Sequence, residues 1–201
     1  MMILALLLAA ICLQAETLDR IAVTVGRHVI SEHDIVQDMR VSAFIDGKAA
    51  DFSADQKRKA AERLVDQYLV LEDATGTRVP PPPAADVAGL LTPIKARYVS
   101  DQEYRAALAK GQIREAELQA QLLAGLRMLR YTDLRFRPEV QLSEETLRAY
   151  YNKLNLPQTF EASVGDIEKL LTDQQTMQAL DRWLEMVRSE AVIVYREGAF
   201  K

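Results

Sequence analysis

The chain has 201 residues, an apolar share of 49%, a charged share of 27% and a formal net charge of −4. These proportions fit an ordinary globular protein with one domain, or a core plus a satellite. A mildly acidic chain without a basic stripe argues against nucleic acid as the main partner, and against electrostatic docking on an anionic membrane surface.

Residues 1–15 differ from the rest. Ile3 to Leu13 is an unbroken apolar run, followed by Gln14, Ala15 and then Glu16. It is shorter than the roughly 20 residues that cross a bilayer and suits the apolar region of a secretory signal. The expectation is cleavage after Ala15, an extracytoplasmic (periplasmic) location and no stable membrane insertion afterwards. The segment carries no Lys or Arg, so an uncleaved anchor or a buried first helix stays open beside it. Cys12 is the only cysteine. Acylation there is disfavoured, because Ile11 stands where a lipoprotein signal needs a small residue. Cleavage after Ala15 leaves a mature chain with neither disulfide nor thiol chemistry.

Leu18 to Ile30 reads as a tight hairpin, its strands Ile21–Val25 and His28–Ile30 joined by Gly26-Arg27, with Gly supplying positive φ. Ser31 is an N-cap, with Glu32 and Asp34 in the first turn of a helix running to about Phe44. A polar loop to Ser53 precedes a helix from Ala54 to Asp73, ended by Gly76, with Ala61, Leu64, Val65, Tyr68, Leu69 and Leu71 on its apolar side. Pro80 to Pro83 is a stiff extended spacer. A helix from Ala84 to Tyr98, disturbed at Pro93, is followed by a short one over Asp101–Lys110 that Gly111 stops. Glu115 to about Arg135 is a long helix with Leu118, Leu122, Leu126 and Leu129 along one side, closed by Pro138. Ser143-Glu144-Glu145 starts a sixth helix by capping, which runs to about Lys153, and Phe160 to Gly165 is a connector. The last helix carries Ile167, Leu170, Leu171, Met177, Leu180, Trp183, Leu184 and Val187 at spacings of three and four. Ala191 to Tyr195 then switches to a β-branched run that reads as a strand.

A lone terminal strand leaves backbone N–H and C=O groups unpaired. The other strong strand signal lies at the opposite end, in Arg20–Val25. The two ends are therefore expected to meet in one small antiparallel sheet. The fold class is mainly α, with the helices enclosed between the paired termini.

Chemistry-bearing clusters are scarce. His28 sits at a hairpin turn and His33 in a first helical turn. Glu32, His33 and Asp34 are consecutive and point in different directions, so they make a poor metal set. No glycine-rich loop precedes a helix, so phosphate has no cradle. Glu144, Glu145, Asp34 and Asp38 are read as carboxylates on solvated helix faces. No catalytic, cofactor or metal residue is assigned. The aromatics Tyr68, Tyr98, Tyr104, Tyr131, Phe136 and Tyr150 are the candidates for lining a peptide-accepting groove, while Trp183, Leu184 and Val187 read as core.

Taken in order, these pieces resemble the SurA-type extracytoplasmic chaperones and their parvulin-containing relatives. The resemblance runs through Leu18–Val25, Val29–Ile35 and Arg63–Glu72, then Tyr104, Leu108 and Gly111 leading to Glu117-Leu118. It continues in Leu142–Tyr151 and Ala179–Ala191. It implies a helical chaperone module over 16–153 and a C-terminal helix and strand over 166–201. In the relatives a parvulin prolyl isomerase of about a hundred residues separates these two parts, whereas here residues 154–165 are only a connector. A folded isomerase cannot be built from so few residues, and no matching position exists for its catalytic histidines. The resemblance thus implies a module that binds unfolded or extended polypeptides, such as outer-membrane protein precursors, without prolyl isomerase catalysis. Two alternatives stay open: a dedicated partner of one extracytoplasmic protein, and residual isomerase activity.

Overall fold

The computed structural model describes residues 19–77, 79–154 and 157–201. The expected signal segment, Cys12 and the start of the hairpin at Leu18 lie outside them.

The chain opens with strands β1 (Ile21–Val25) and β2 (His28–Ser31), joined through Gly26 at φ +56°. Helix α1 (Glu32–Asp46) starts with a full capping box, because Ser31 Oγ accepts from the Asp34 N–H and the Asp34 carboxylate accepts from the Ser31 N–H. It ends at Gly47, whose φ of +67° is the left-handed cap that glycine takes without strain. Helix α2 spans Ala54–Gly76, α3 Ala84–Lys95, α4 Asp101–Lys110 and α5 Glu115–Phe136. Helix α6 (Glu144–Leu154) and the long α7 (Phe160–Glu190) lead to β3 (Ile193–Tyr195) and a closing 3₁₀ turn, Glu197–Phe200.

The termini meet as the sequence leads one to expect. The sheet order is β2-β1-β3, all antiparallel, with Val23 opposite Tyr195 and Val25 opposite Ile193. The junction is extended on both sides. Gly26 N–H donates to the Val192 carbonyl at 2.9 Å and Arg196 N–H to the Ala22 carbonyl at 2.8 Å. Arg20 Nη1 reaches the Gly198 carbonyl at 2.8 Å. Ala199 and Phe200 are buried beyond the strand, so the tail is held by apolar contact as well as by the ladder.

Three apolar clusters organise the helices. The main one joins the sheet to α2 and to the C-terminal halves of α5 and α7, through Val23, Val25, Val65, Val70, Tyr131 and Trp183. A second gathers Val41, Leu91, Ile94, Tyr104, Leu108 and Leu118 from α1, α3, α4 and the start of α5. A third, of Leu147, Ile167 and Leu171, ties α6 to the first half of α7.

Two helix boundaries depart clearly from the sequence reading. Phe160 to Gly165 is not a connector but the first turns of α7, capped by Thr159 Oγ1 accepting from the Ala162 N–H. Only residues 155–159 separate α6 from α7. Helix α3 stops at Lys95 rather than Tyr98, and the chain leaves it in tight turns, Ala96 N–H to Thr92 O and Tyr98 N–H to Lys95 O. Gly111 caps α4 after Lys110, as expected. It stays right-handed at φ −75°, and Gln112 takes φ +55° instead. A Cβ on Gly111 would sit 3.1 Å from Ile113 Cδ1, so the glycine answers a close approach rather than a turn.

The two long helices also depart from single-stripe patterning. On α7, Leu170 and Met177 are about half exposed (50% and 49%), whereas Ser163 and Thr176 are buried. The helix packs on α6 in its first half and on α2 and α5 further along, so its buried face shifts with the partner. On α5, Leu118 is buried but Leu129 is exposed, and the C-terminal half turns Tyr131, Thr132 and Phe136 inward. Among the described residues no helix is long and apolar enough to cross a membrane.

Candidate peptide-binding groove

Of the six aromatics that the sequence suggests for a groove, three are core. Tyr104 (1% exposed), Tyr131 (0%) and Phe136 (5%) are closed off from any surface ligand. Tyr131 and Phe136 pack edge-to-face beside Trp183, with the Arg135 guanidinium 5.3 Å from the indole centroid. Tyr131 donates to Asp73 Oδ2 at 2.5 Å, and burial together with that carboxylate pushes its hydroxyl far above the ordinary phenol range. Tyr104 sits under Lys95 Nζ, 4.9 Å from its ring, and among the described residues its hydroxyl has no hydrogen-bond partner. Tyr150 is half-buried in the α6–α7 cluster. Tyr98 lines a separate hollow with Phe44 and Phe52. The six are spread over three clusters and do not form one site.

Tyr68 alone leads to a groove worth building. It projects from α2 into a groove of about 610 Å³ bounded by β2, α1, α2 and α5. His28 lies flat on its ring, centroids 3.9 Å apart and planes 4° from parallel. Burial, then the neighbouring Glu72 carboxylate, push the Tyr68 hydroxyl upward. Leu64 and Leu71 continue the α2 wall one turn either side of Tyr68, and Ala120 and Ala124 supply a low opposite wall on α5. Small residues on α5 leave the groove open where larger ones would fill it.

The strand bounding this groove meets it at its edge. His28, Val29 and Ile30 all line it, and consecutive strand residues point to opposite faces, so contact with three in a row is contact with the backbone edge. The β1–β2 register places Val25 opposite His28 across the two-residue turn. The turn hydrogen bond then directs the His28 N–H toward β1, and alternation directs the N–H and C=O of Val29 outward. Ser31 fits the same alternation, since its outward N–H is taken by Asp34 Oδ2 at 2.8 Å. Because β2 is an outer strand, Val29 faces the groove with its ladder unextended.

The polar rim is acidic and amide-rich. Asp34, Asp38 and Glu72 line the groove, and among the described residues no Lys or Arg does. Asp38 corrects the expectation of a solvated helix face, its side chain being 12% exposed. Arg63 Nη2 donates to it at 2.7 Å and Gln121 Nε2 at 3.3 Å. Burial outweighs these donors and raises its carboxyl above the ordinary value of 3.8. Gln37 and Gln121 are fixed across the helix junction, Gln37 donating to Glu117 Oε2 at 2.6 Å and Gln121 to Ser42 Oγ at 2.8 Å. Glu117 is held below its usual range, first by the Arg114 backbone N–H.

Sequence reading missed His28, Asp38, Gln37 and Gln121 as groove residues. The signal for the α2 wall was present in the row Leu64, Tyr68, Leu71, whereas nothing local tells that α5 would bring alanines opposite it. Among the described residues no group of three His, Cys, Asp or Glu side chains is placed to hold a metal ion. No family model matches the chain, and no curated protein matches it.

Proposed function

We propose that this protein binds unfolded or extended polypeptides along the β2 groove, as a chaperone-like module that shelters them without prolyl isomerase catalysis. The observation carrying this reading is the outward backbone of Val29 beside the stacked His28–Tyr68 floor. An extended chain can add to such an edge by main-chain hydrogen bonds, which are independent of client sequence, while the apolar wall takes its side chains. Weak, tolerant contacts of this kind suit many clients.

The resemblance to SurA-type chaperones points the same way, and the export-like residues 1–15 support an activity outside the cytoplasm. A non-catalytic module is supported by α6 passing into α7 across residues 155–159, where the relatives carry an isomerase domain.

The test is suppression of aggregation of a denatured outer-membrane protein by the purified chain. Slowed aggregation at stoichiometric amounts supports the reading. Unchanged aggregation, with one stoichiometric partner recovered instead, favours the dedicated-partner alternative. Isomerisation of a prolyl peptide above background, lost on a point substitution, contradicts the non-catalytic part.

A further inference from the structure

We infer that the groove selects extended segments bearing a Lys or Arg side chain, seated as an added strand on Val29 with the cation turned toward Glu72. This rests on the peptide-binding reading and names its preferred ligand. Two features of the groove lead to it. The first is the unextended edge of β2, which accepts only a partner in extended conformation. The second is charge. Three carboxylates line the groove and, among the described residues, no Lys or Arg does, so a basic side chain meets a complementary field and an acidic one a repulsive field.

The three carboxylates are not equivalent. Asp34 is committed to the Ser31 cap and Asp38 to Arg63. Glu72 is exposed and forms no ion pair among the described residues, which leaves it able to take an incoming cation. It stands next to the Tyr68 hydroxyl, so a Lys or Arg head that reaches the carboxylate also lies at the rim of that ring.

The test measures fluorescence anisotropy of a labelled peptide of alternating Thr and Val with one central Arg, bound to the intact protein. Two counterparts carry Glu in place of Arg, or N-methyl groups on alternate amides. The Arg peptide is expected to bind about tenfold more tightly than the Glu peptide, and the N-methylated peptide to lose binding. In Glu72→Gln protein with an unchanged melting curve, the Arg preference should fall to less than about threefold. Equal affinity for the Arg and Glu peptides overturns charge selection and leaves the groove reading standing. An N-methylated peptide binding as tightly as its parent overturns strand addition. If no peptide binds and aggregation of unfolded clients is also unslowed, the peptide-binding reading itself falls.

Discussion

His28 and Tyr68, on different elements, stack with ring centroids 3.9 Å apart and planes 4° from parallel. The pair joins the hairpin to α2 within the lining of the groove. Such a pair contributes about 0.5–1.5 kcal/mol beyond its buried area. Tyr68→Ala is expected to weaken peptide binding by roughly tenfold while lowering stability by only about 1–2 kcal/mol. Anisotropy titration and urea unfolding of the same preparation check both halves.

The paired termini make stability depend on the tail. Deleting Ala191 to Lys201 removes β3 and the buried Ala199 and Phe200, and leaves β1 an outer strand. Amide exchange in β1 should rise sharply and the melting temperature of the whole chain should fall. Exchange in β1 unchanged by the truncation contradicts a structural role for the ladder.

Much of this architecture could be read from local patterns. Gly26 between two β-branched runs, the Ser31–Asp34 cap and the unpaired strand at the end each state a local physical requirement, and together they dictate the β1–β3 closure. The groove was harder to see because four separated elements form it. Asp38 looks like any polar helix residue until Arg63 and Gln121 close around it. The tyrosines look alike in sequence, yet Tyr131 is sealed against Trp183 while Tyr68 faces the groove. Gly165 weakens the helical pattern over Phe160 to Gly165, and the α6–α7 packing overrides that local signal.

Trp183 is 8% exposed and packs between Tyr131, Phe136 and the Arg135 guanidinium. Trp183→Ala should cost about 3–5 kcal/mol, and Arg135→Ala less, since the ring stays in place. Chemical denaturation gives both values, and an unchanged midpoint for Trp183→Ala contradicts its core position.

Acid and base limbs of stability should separate by residue. Asp38 has a raised folded value, so its favourable contribution is fully present below its unfolded value near 3.8 and is lost as pH rises through the folded value. Glu117 has a lowered value, so its contribution is present above its unfolded value near 4.5 and is lost as pH falls through the folded one. Asp38→Asn should therefore remove a decline in stability on raising pH above 3.8. Glu117→Gln should soften the loss on acidification below 4.5. Urea midpoints measured across pH for both variants decide the signs.

Gln112 holds φ +55° at the end of α4, where a side chain is strained. Gln112→Gly should raise stability by about 1 kcal/mol, read as a shift in urea midpoint. A loss of stability shows that the Gln side chain has a compensating role.

The most direct measurement is amide hydrogen exchange at Val29, followed by NMR with and without a saturating extended peptide. With its N–H turned outward on the open edge of β2, Val29 should exchange rapidly in the free protein and become protected in the complex. Saturable peptide binding that leaves Val29 exchange unchanged, with protection appearing elsewhere, contradicts strand addition at this groove.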